Sequence, residues 1–175
     1  IRREIHIVVI DPDATTLLDG DAPAHAELPT VGEEDDALLM YTSGTTGKPK
    51  GCMLSNRSVC AGGEYTSQAH RLAAQDRVLC ALPLYHINGQ IVTAVAPLVH
   101  GGSVVMPHRF SVSSYWQLVS KYHCTWINVV PTQIAYLLNA PHPREAGLDI
   151  SRVKFCRSAS APLPPELHTA FEATF

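Results

Sequence analysis

Residues 43–51, Ser43-Gly44-Thr45-Thr46-Gly47-Lys48-Pro49-Lys50-Gly51, concentrate the chemistry of this 175-residue chain. Three glycines let a backbone approach a ligand closely and take positive φ, and runs of exposed backbone N–H groups form a concavity for anions. Thr42, Ser43, Thr45 and Thr46 add four hydroxyls, and Lys48 and Lys50 add two positive charges. Many short donors around a turn, together with charge, are what a polyphosphate requires. The plain alternative is a polar hairpin loop that binds nothing. The ordering of hydroxyls and lysines directly after a strand-like segment favours phosphate. Two common phosphate motifs do not apply. A Walker A loop needs GxxxxGK followed by Ser or Thr, whereas two residues separate Gly44 from Gly47 and Pro49 follows Lys48. No helix can start directly there to offer its N-terminus, and no GxGxxG dinucleotide fingerprint occurs.

The elements that must position this loop follow from apolar patterning. Residues 5–10 form a short β-branched run closed by Asp11-Pro12 and read as a buried strand. The acidic, Pro- and Gly-punctuated stretch over 11–36 reads as a solvated connector. Residues 37–42 read as a strand that delivers the chain into the loop. Ser55 is placed to cap a helix over 56–71. Strands are expected at 77–82, 103–106, 124–130 and 153–156. Helices are expected at 86–99, interrupted near Pro97, at 111–121 with Ser111 as cap, at 131–139 opened by Pro131, and from Pro164 or Pro165 to Phe175. Short strands alternating with helices imply βαβ units: an α/β chain with a mainly parallel sheet and flanking helices. Trp116 and Trp126 read as packing residues.

Composition sets the outer limits. The chain is 46% hydrophobic and 17% charged, which excludes disorder of the whole and allows one domain with a real core. The most apolar stretch, residues 91–99, is nine residues long and contains a proline, too short to span a membrane. The net charge of -3 hides an asymmetry: residues 11–36 hold nine acids and no Lys or Arg, while residues 37–175 hold six acids against eleven Lys and Arg. A basic body suits an anionic ligand but is too thinly charged for nucleic acid. Five widely spaced cysteines without a CxxC give no zinc or redox motif, and four sit among apolar neighbours that suggest buried thiols. A reduced, cytoplasmic setting is the expectation. Apart from His86 the histidines show no metal-like pairing, and no metal ligands are read.

The segment Tyr41-Thr42-Ser43-Gly44-Thr45-Thr46-Gly47-Lys48-Pro49-Lys50-Gly51 resembles the AMP-binding signature of the adenylate-forming enzymes, which include acyl-CoA synthetases and peptide-synthetase adenylation domains. Leu82-Pro83-Leu84-Tyr85-His86 is similar to the acyl-CoA ligase form of the family's next motif. Arg157-Ser158-Ala159-Ser160-Ala161-Pro162-Leu163 looks like the family's stretch beside adenine, with Ser160 in place of a common small residue. The resemblance covers almost the whole chain and looks closest to acyl-CoA synthetases, an acid–thiol ligase type.

It implies a two-step reaction. A carboxylate attacks the α-phosphate of MgATP, pyrophosphate leaves, and the thiol of coenzyme A then attacks the acyl-adenylate. By the same resemblance Thr42, Ser43, Gly44, Thr45, Thr46, Gly47, Lys48 and Lys50 bind phosphate, Ser160, Ala161 and Pro162 lie beside adenine, and Lys50 and His86 act in catalysis, His86 by orienting the acid. Val129, Val130, Pro131, Thr132 and Ile134 would line the acyl side; from their own chemistry they are simply core. The partners implied are a small carboxylic acid, ATP and coenzyme A, with Mg2+ as the metal, no nucleic acid, no transmembrane segment, and a homodimer as a compatible assembly.

The family's Tyr-Gly-x-Thr-Glu motif, ribose-binding Asp and C-terminal lysine are not in the sequence. The chain is therefore expected to be a partial N-terminal AMP-binding domain, with a core over 37–175, that does not complete the reaction alone. An amino-acid adenylation domain loading a carrier protein is the alternative within the family, against which Tyr85-His86 speaks. A non-catalytic nucleotide-binding module is the alternative outside it.

Overall fold

The computed structural model describes residues 30–43 and 47–175. The strand expected at 5–10 and all but the last residues of the acidic connector lie outside that range. The described end of the connector is a turn in which the Asp35 carboxylate accepts from the Gly32 N–H at 2.7 Å. Glu33 and Glu34 there pair with Arg57 at 3.0 and 2.7 Å; such exposed pairs contribute little stability.

Asp36–Thr42 (β1) and Lys50–Ser55 (β2) form an antiparallel hairpin in which Thr42 faces Lys50. This corrects the expectation that the loop runs to Gly51, because Lys50 and Gly51 already belong to a strand. The reason is visible in β2: its residues are exposed or half-buried and Met53 faces solvent, so no buried face imposes a two-residue apolar period. Backbone pairing alone defines it. Asn56–His70 (α1) follows directly, with Ser55 Oγ accepting from the Ser58 N–H at 3.3 Å as expected of a cap.

The second sheet is parallel throughout. Its strands are Arg77–Cys80 (β3), Ser103–Val105 (β4), Trp126–Val129 (β5) and Phe155–Ser158 (β6), in the order β4-β3-β5-β6. Between β3 and β4 lie a π-helix, Asn88–Val95, and a short helix, Ala96–Val99 (α2). Val112–Lys121 (α3), Pro131–Leu138 (α4), a 3-10 turn at Pro143–Ala146 and Pro165–Thr174 (α5) complete the described elements. Strand alternation divides the core. Val78 and Trp126 pack with Leu72 and Ala96 on one face. Leu79, Ile127 and Val129 pack with Tyr115, Trp116, Ile134, Leu137 and Phe171 on the other. Trp126 is wholly buried and stacks near His70 and Phe155, while neither Trp116 Nε1 nor Trp126 Nε1 has a hydrogen-bond partner among the described residues. Packing is their role.

Three local expectations are corrected. The helix expected at 86–99 starts two residues later and is a π-helix over Asn88–Val95, which gives way to α2 at Ala96, beside Pro97, where an interruption was expected. Thr93 Oγ1 donates to the Asn88 carbonyl five residues earlier at 2.7 Å, and Pro97 sits in the first turn of α2, where its missing N–H is tolerated. Ser111 occupies the cap position of α3 but makes no capping bond; its hydroxyl lies 3.0 Å from that of Ser113. β6 lies two residues later than expected, which brings Arg157 and Ser158 into the strand.

At the amino ends of β3, β5 and β6 a polar cluster ties the sheet together. Asp76 is buried and accepts from Lys154 Nζ at 2.7 Å, Thr125 Oγ1 at 2.7 Å and the Ala73 N–H at 2.9 Å. Burial alone would raise its pKa, but these hydrogen bonds outweigh burial and hold it below the ordinary carboxylate value. A carboxylate of depressed pKa stabilises the fold fully above the unfolded value near 3.9, and that contribution is lost as pH falls through the folded pKa. Asp76→Asn is therefore expected to lower stability by about 1–3 kcal/mol at neutral pH and by much less near pH 3. Urea denaturation midpoints of the full-length protein at both pH values check this; an equal loss at both would refute it.

Candidate functional site

The hairpin turn carries the first group of expected site residues. Thr42, Ser43, Gly47, Lys48 and Lys50 are all exposed, and Gly47 has φ of 79°, a conformation in which a side chain is strained. The Thr42 hydroxyl lies 3.5 Å from the Lys50 carbonyl. Neither Lys48 nor Lys50 forms an ion pair among the described residues. Gly44, Thr45 and Thr46 lie outside them. The turn thus displays two lysines on a closed hairpin, with their charge available to a ligand.

The second group gathers where sheet topology opens a crevice. From β3 the chain leaves by the π-helix to β4 on one side, then returns by α3 to β5 on the other. The connections after β3 and β5 therefore diverge to opposite faces. Ligands of open α/β sheets bind at such a point, outside the carboxyl ends of the strands. The loop after β3 holds Leu84, Tyr85, His86 and Ile87, all exposed. The Tyr85 and His86 rings lie 4.8 Å apart. The loop is pinned from behind: the His86 N–H donates to the Pro83 carbonyl at 3.1 Å, and a Cβ at Gly89 would stand 2.4 Å from that same oxygen. Only glycine allows this approach. The loop after β6 holds Ser160, Ala161 and Pro162, exposed, with Ser160 at φ of 73°.

A network of amides joins the two loops. Asn88 Nδ2 donates to Ser160 Oγ at 3.0 Å. Asn128 Nδ2, wholly buried in β5, donates to Asn88 Oδ1 at 2.9 Å and to Thr93 Oγ1. Arg157 Nη1 donates to Asn88 Oδ1 at 2.7 Å and to Asn128 Oδ1 at 3.1 Å. Partial burial lowers the Arg157 pKa from its ordinary value, yet a guanidinium stays charged at neutral pH. No carboxylate pairs with it among the described residues.

His86 and Ser160–Pro162 stand in separate motifs of the sequence, and the structure links their loops through Asn88. Arg157, Asn88, Thr93 and Asn128 are not among the site residues expected from sequence. The available signal was Asn128 itself, an amide between Ile127 and Val129 in an otherwise apolar strand, since buried amides are almost always hydrogen-bonded. The expected acyl-side residues divide. Val129 and Ile134 are sealed in the core, which matches their packing chemistry, and Thr132 is exposed. The cysteines correct an expectation too: Cys80 and Cys124 are buried, Cys156 is half-buried, and Cys52 and Cys60 are exposed, all as free thiols. Burial pushes Cys124 up to about 11 and Cys156 up to about 12, so both are inert as nucleophiles at neutral pH. Among the described residues no three His, Cys, Asp or Glu come together in a set that could hold a metal. None of the described helices is long and apolar enough to cross a membrane.

Comparison with known proteins bears on the whole chain. Residues 2–175 match the family profile described as AMP-binding enzyme. A sulfoacetate–CoA ligase of Cupriavidus necator is 56% identical over 174 residues, covering 98% of this chain and 33% of that protein. An oxalate–CoA ligase of Arabidopsis thaliana is 32% identical, covering 91% of this chain and 32% of that protein. The crystal structure of ATP-bound MatB from Rhodopseudomonas palustris superposes with a TM-score of 0.72 at 30% identity, covering 82% of this chain and 28% of the other. The chain thus spans about a third of the length of the curated relatives it matches.

Proposed function

The chain belongs to the AMP-binding enzyme family, and on that premise we propose that its parent protein is an AMP-forming acid–CoA ligase. A carboxylate oxygen of the acid bonds to the α-phosphorus of ATP while the bond to the bridging oxygen of pyrophosphate breaks. The sulfur of coenzyme A then bonds to the acyl carbon, and AMP leaves. The observation that carries this reading is the pairing of two structures: a hairpin turn presenting Lys48 and Lys50, and a crevice at the carboxyl ends of β3, β5 and β6 bordered by His86 and Ser160–Pro162.

In this reading Thr42, Ser43, Gly44, Thr45, Thr46, Gly47, Lys48 and Lys50 hold the β- and γ-phosphates, neutralising the charge that leaves with pyrophosphate. Ser160, Ala161 and Pro162 border the adenine. His86 orients the carboxylate toward phosphorus, an alignment role. Magnesium supplies further charge neutralisation when bound; its ligands are not assigned to the described residues. The acids named for the two ligases similar to this chain, sulfoacetate and oxalate, are short and carry a second acidic group, which favours a short acid of that kind here. Tyr85-His86 favours coenzyme A over a carrier protein as acceptor.

Acid-dependent exchange of labelled pyrophosphate into ATP by the full-length protein tests the first step, and thioester formation on adding coenzyme A tests the second. The expected result is exchange that requires the acid and a thioester that requires both. Absence of exchange with every acid of a broad panel would leave a non-catalytic nucleotide-binding module as the better reading.

A further inference from the structure

Arg157 stands at the carboxyl end of β6 with its guanidinium half-buried in the crevice. Both of its hydrogen bonds run from Nη1, and both acceptors are neutral amide oxygens. Nε and Nη2 have no partner among the described residues, and no carboxylate pairs with the group. A half-buried cation that is oriented but not neutralised is costly unless an anion completes it. The neighbours that hold it are themselves held. Asn88 is locked by Asn128, Ser160 and Thr93, and Asn128 is wholly buried. Arg157 bonds Asn88, two residues beyond His86, and Asn88 bonds Ser160, three residues beyond Arg157, so a hydrogen-bonded path joins the guanidinium to the loops assigned to the acid and to the nucleotide.

We infer that Arg157 is a specificity-determining residue that binds a second anionic group on the acid, a carboxylate or sulfonate set apart from the carboxylate that is activated. Asn88 and Asn128 act as positioning residues, fixing Nη1 so that the free edge of the guanidinium, Nε and Nη2, offers a two-pronged contact to a planar or tripodal anion. The inference rests on the ligase reading above and narrows its substrate to short dianionic acids. Neutral amides suit this work better than carboxylates would, because an internal counter-charge would satisfy the arginine and remove its attraction for substrate.

The test compares acids of equal length with one or two anionic groups, malonate with propionate and succinate with butyrate, in pyrophosphate exchange by the full-length protein. The wild-type protein is expected to favour the dianion. In Arg157→Gln the ratio of kcat/KM for malonate over propionate should fall about ten- to hundredfold, mostly through KM for the acid, and Arg157→Lys should restore part of it. Asn88→Asp, which supplies an internal carboxylate 2.7 Å from Nη1, should lower the same ratio without removing the arginine. An unchanged ratio in both variants, with both acids slowed alike, would make Arg157 a structural residue and overturn the proposal. A wild-type protein that exchanges with monocarboxylates and not with dianions would overturn it while leaving the ligase reading intact. Exchange with no acid would overturn both.

Discussion

Lys50→Ala in the full-length protein is expected to slow acyl-adenylate formation by about ten- to hundredfold, while thioester formation from preformed adenylate stays near the wild-type rate. The asymmetry follows from where charge lies in each step. In the first, pyrophosphate departs with negative charge that the turn's cations would neutralise, and a charge-assisted contact is worth about 1.5–3 kcal/mol. In the second, the β- and γ-phosphates have already gone, so a lysine that held them has nothing left to do. Lys50 is exposed at the first position of β2 and faces Thr42 across the hairpin, so its replacement removes charge without disturbing the core. Lys48→Ala should behave alike. His86→Ala should instead raise KM for the acid, because His86 belongs to the crevice loop and not to the turn. Separate measurement of the two half-reactions decides the matter. Equal loss of both in the lysine variants, with the fold intact, would show that the turn is not a phosphate clamp.

The fold was legible where burial imposes a period and obscure where it does not. β3 and β5 are mostly apolar and buried, broken only by Arg77 and Asn128, and they stand within a few residues of where they were expected. Ser55, Pro131 and Pro165 mark helix starts by side-chain chemistry or a missing N–H, and the helices begin there. β2 was missed because its side chains remain exposed or half-buried, so pairing with β1 leaves no mark on the pattern. The π-helix carries the apolar pattern of an ordinary helix, and the Thr93 hydroxyl reaching back to the Asn88 carbonyl leaves no mark on that pattern. The site divides in the same way. The lysine-bearing turn and His86 lie in contiguous motifs and could be named from residue order. The amide–guanidinium network draws on residues 88, 93, 128, 157 and 160, from three separate segments of the chain. Only the sheet order β4-β3-β5-β6 brings them to one crevice, and strand order is not written in local sequence.

Asn128→Ala should show how far that crevice is also a structural keystone. The side chain is wholly buried, donates to Asn88 Oδ1 and Thr93 Oγ1, and accepts from Arg157. Truncation removes three hydrogen bonds at once and leaves a void between β3, β6 and the π-helix. Losing a buried polar partner costs about 1–3 kcal/mol, and the uncollapsed space adds to it, so a loss of about 2–5 kcal/mol is expected in urea denaturation of the full-length protein. The π-helix should feel the loss first, since Thr93 uses one hydroxyl both to receive Asn128 and to hold the Asn88 carbonyl. Thr93→Val combined with Asn128→Ala should accordingly cost less than the two single changes added together, by about 0.5–3 kcal/mol. Full additivity would mean that the two residues act independently and that the amides do not form one unit. Coupling would mean that the geometry presenting Arg157 is set by the same bonds that hold the π-helix against the sheet, so that acid recognition and local stability fall together when either asparagine is removed.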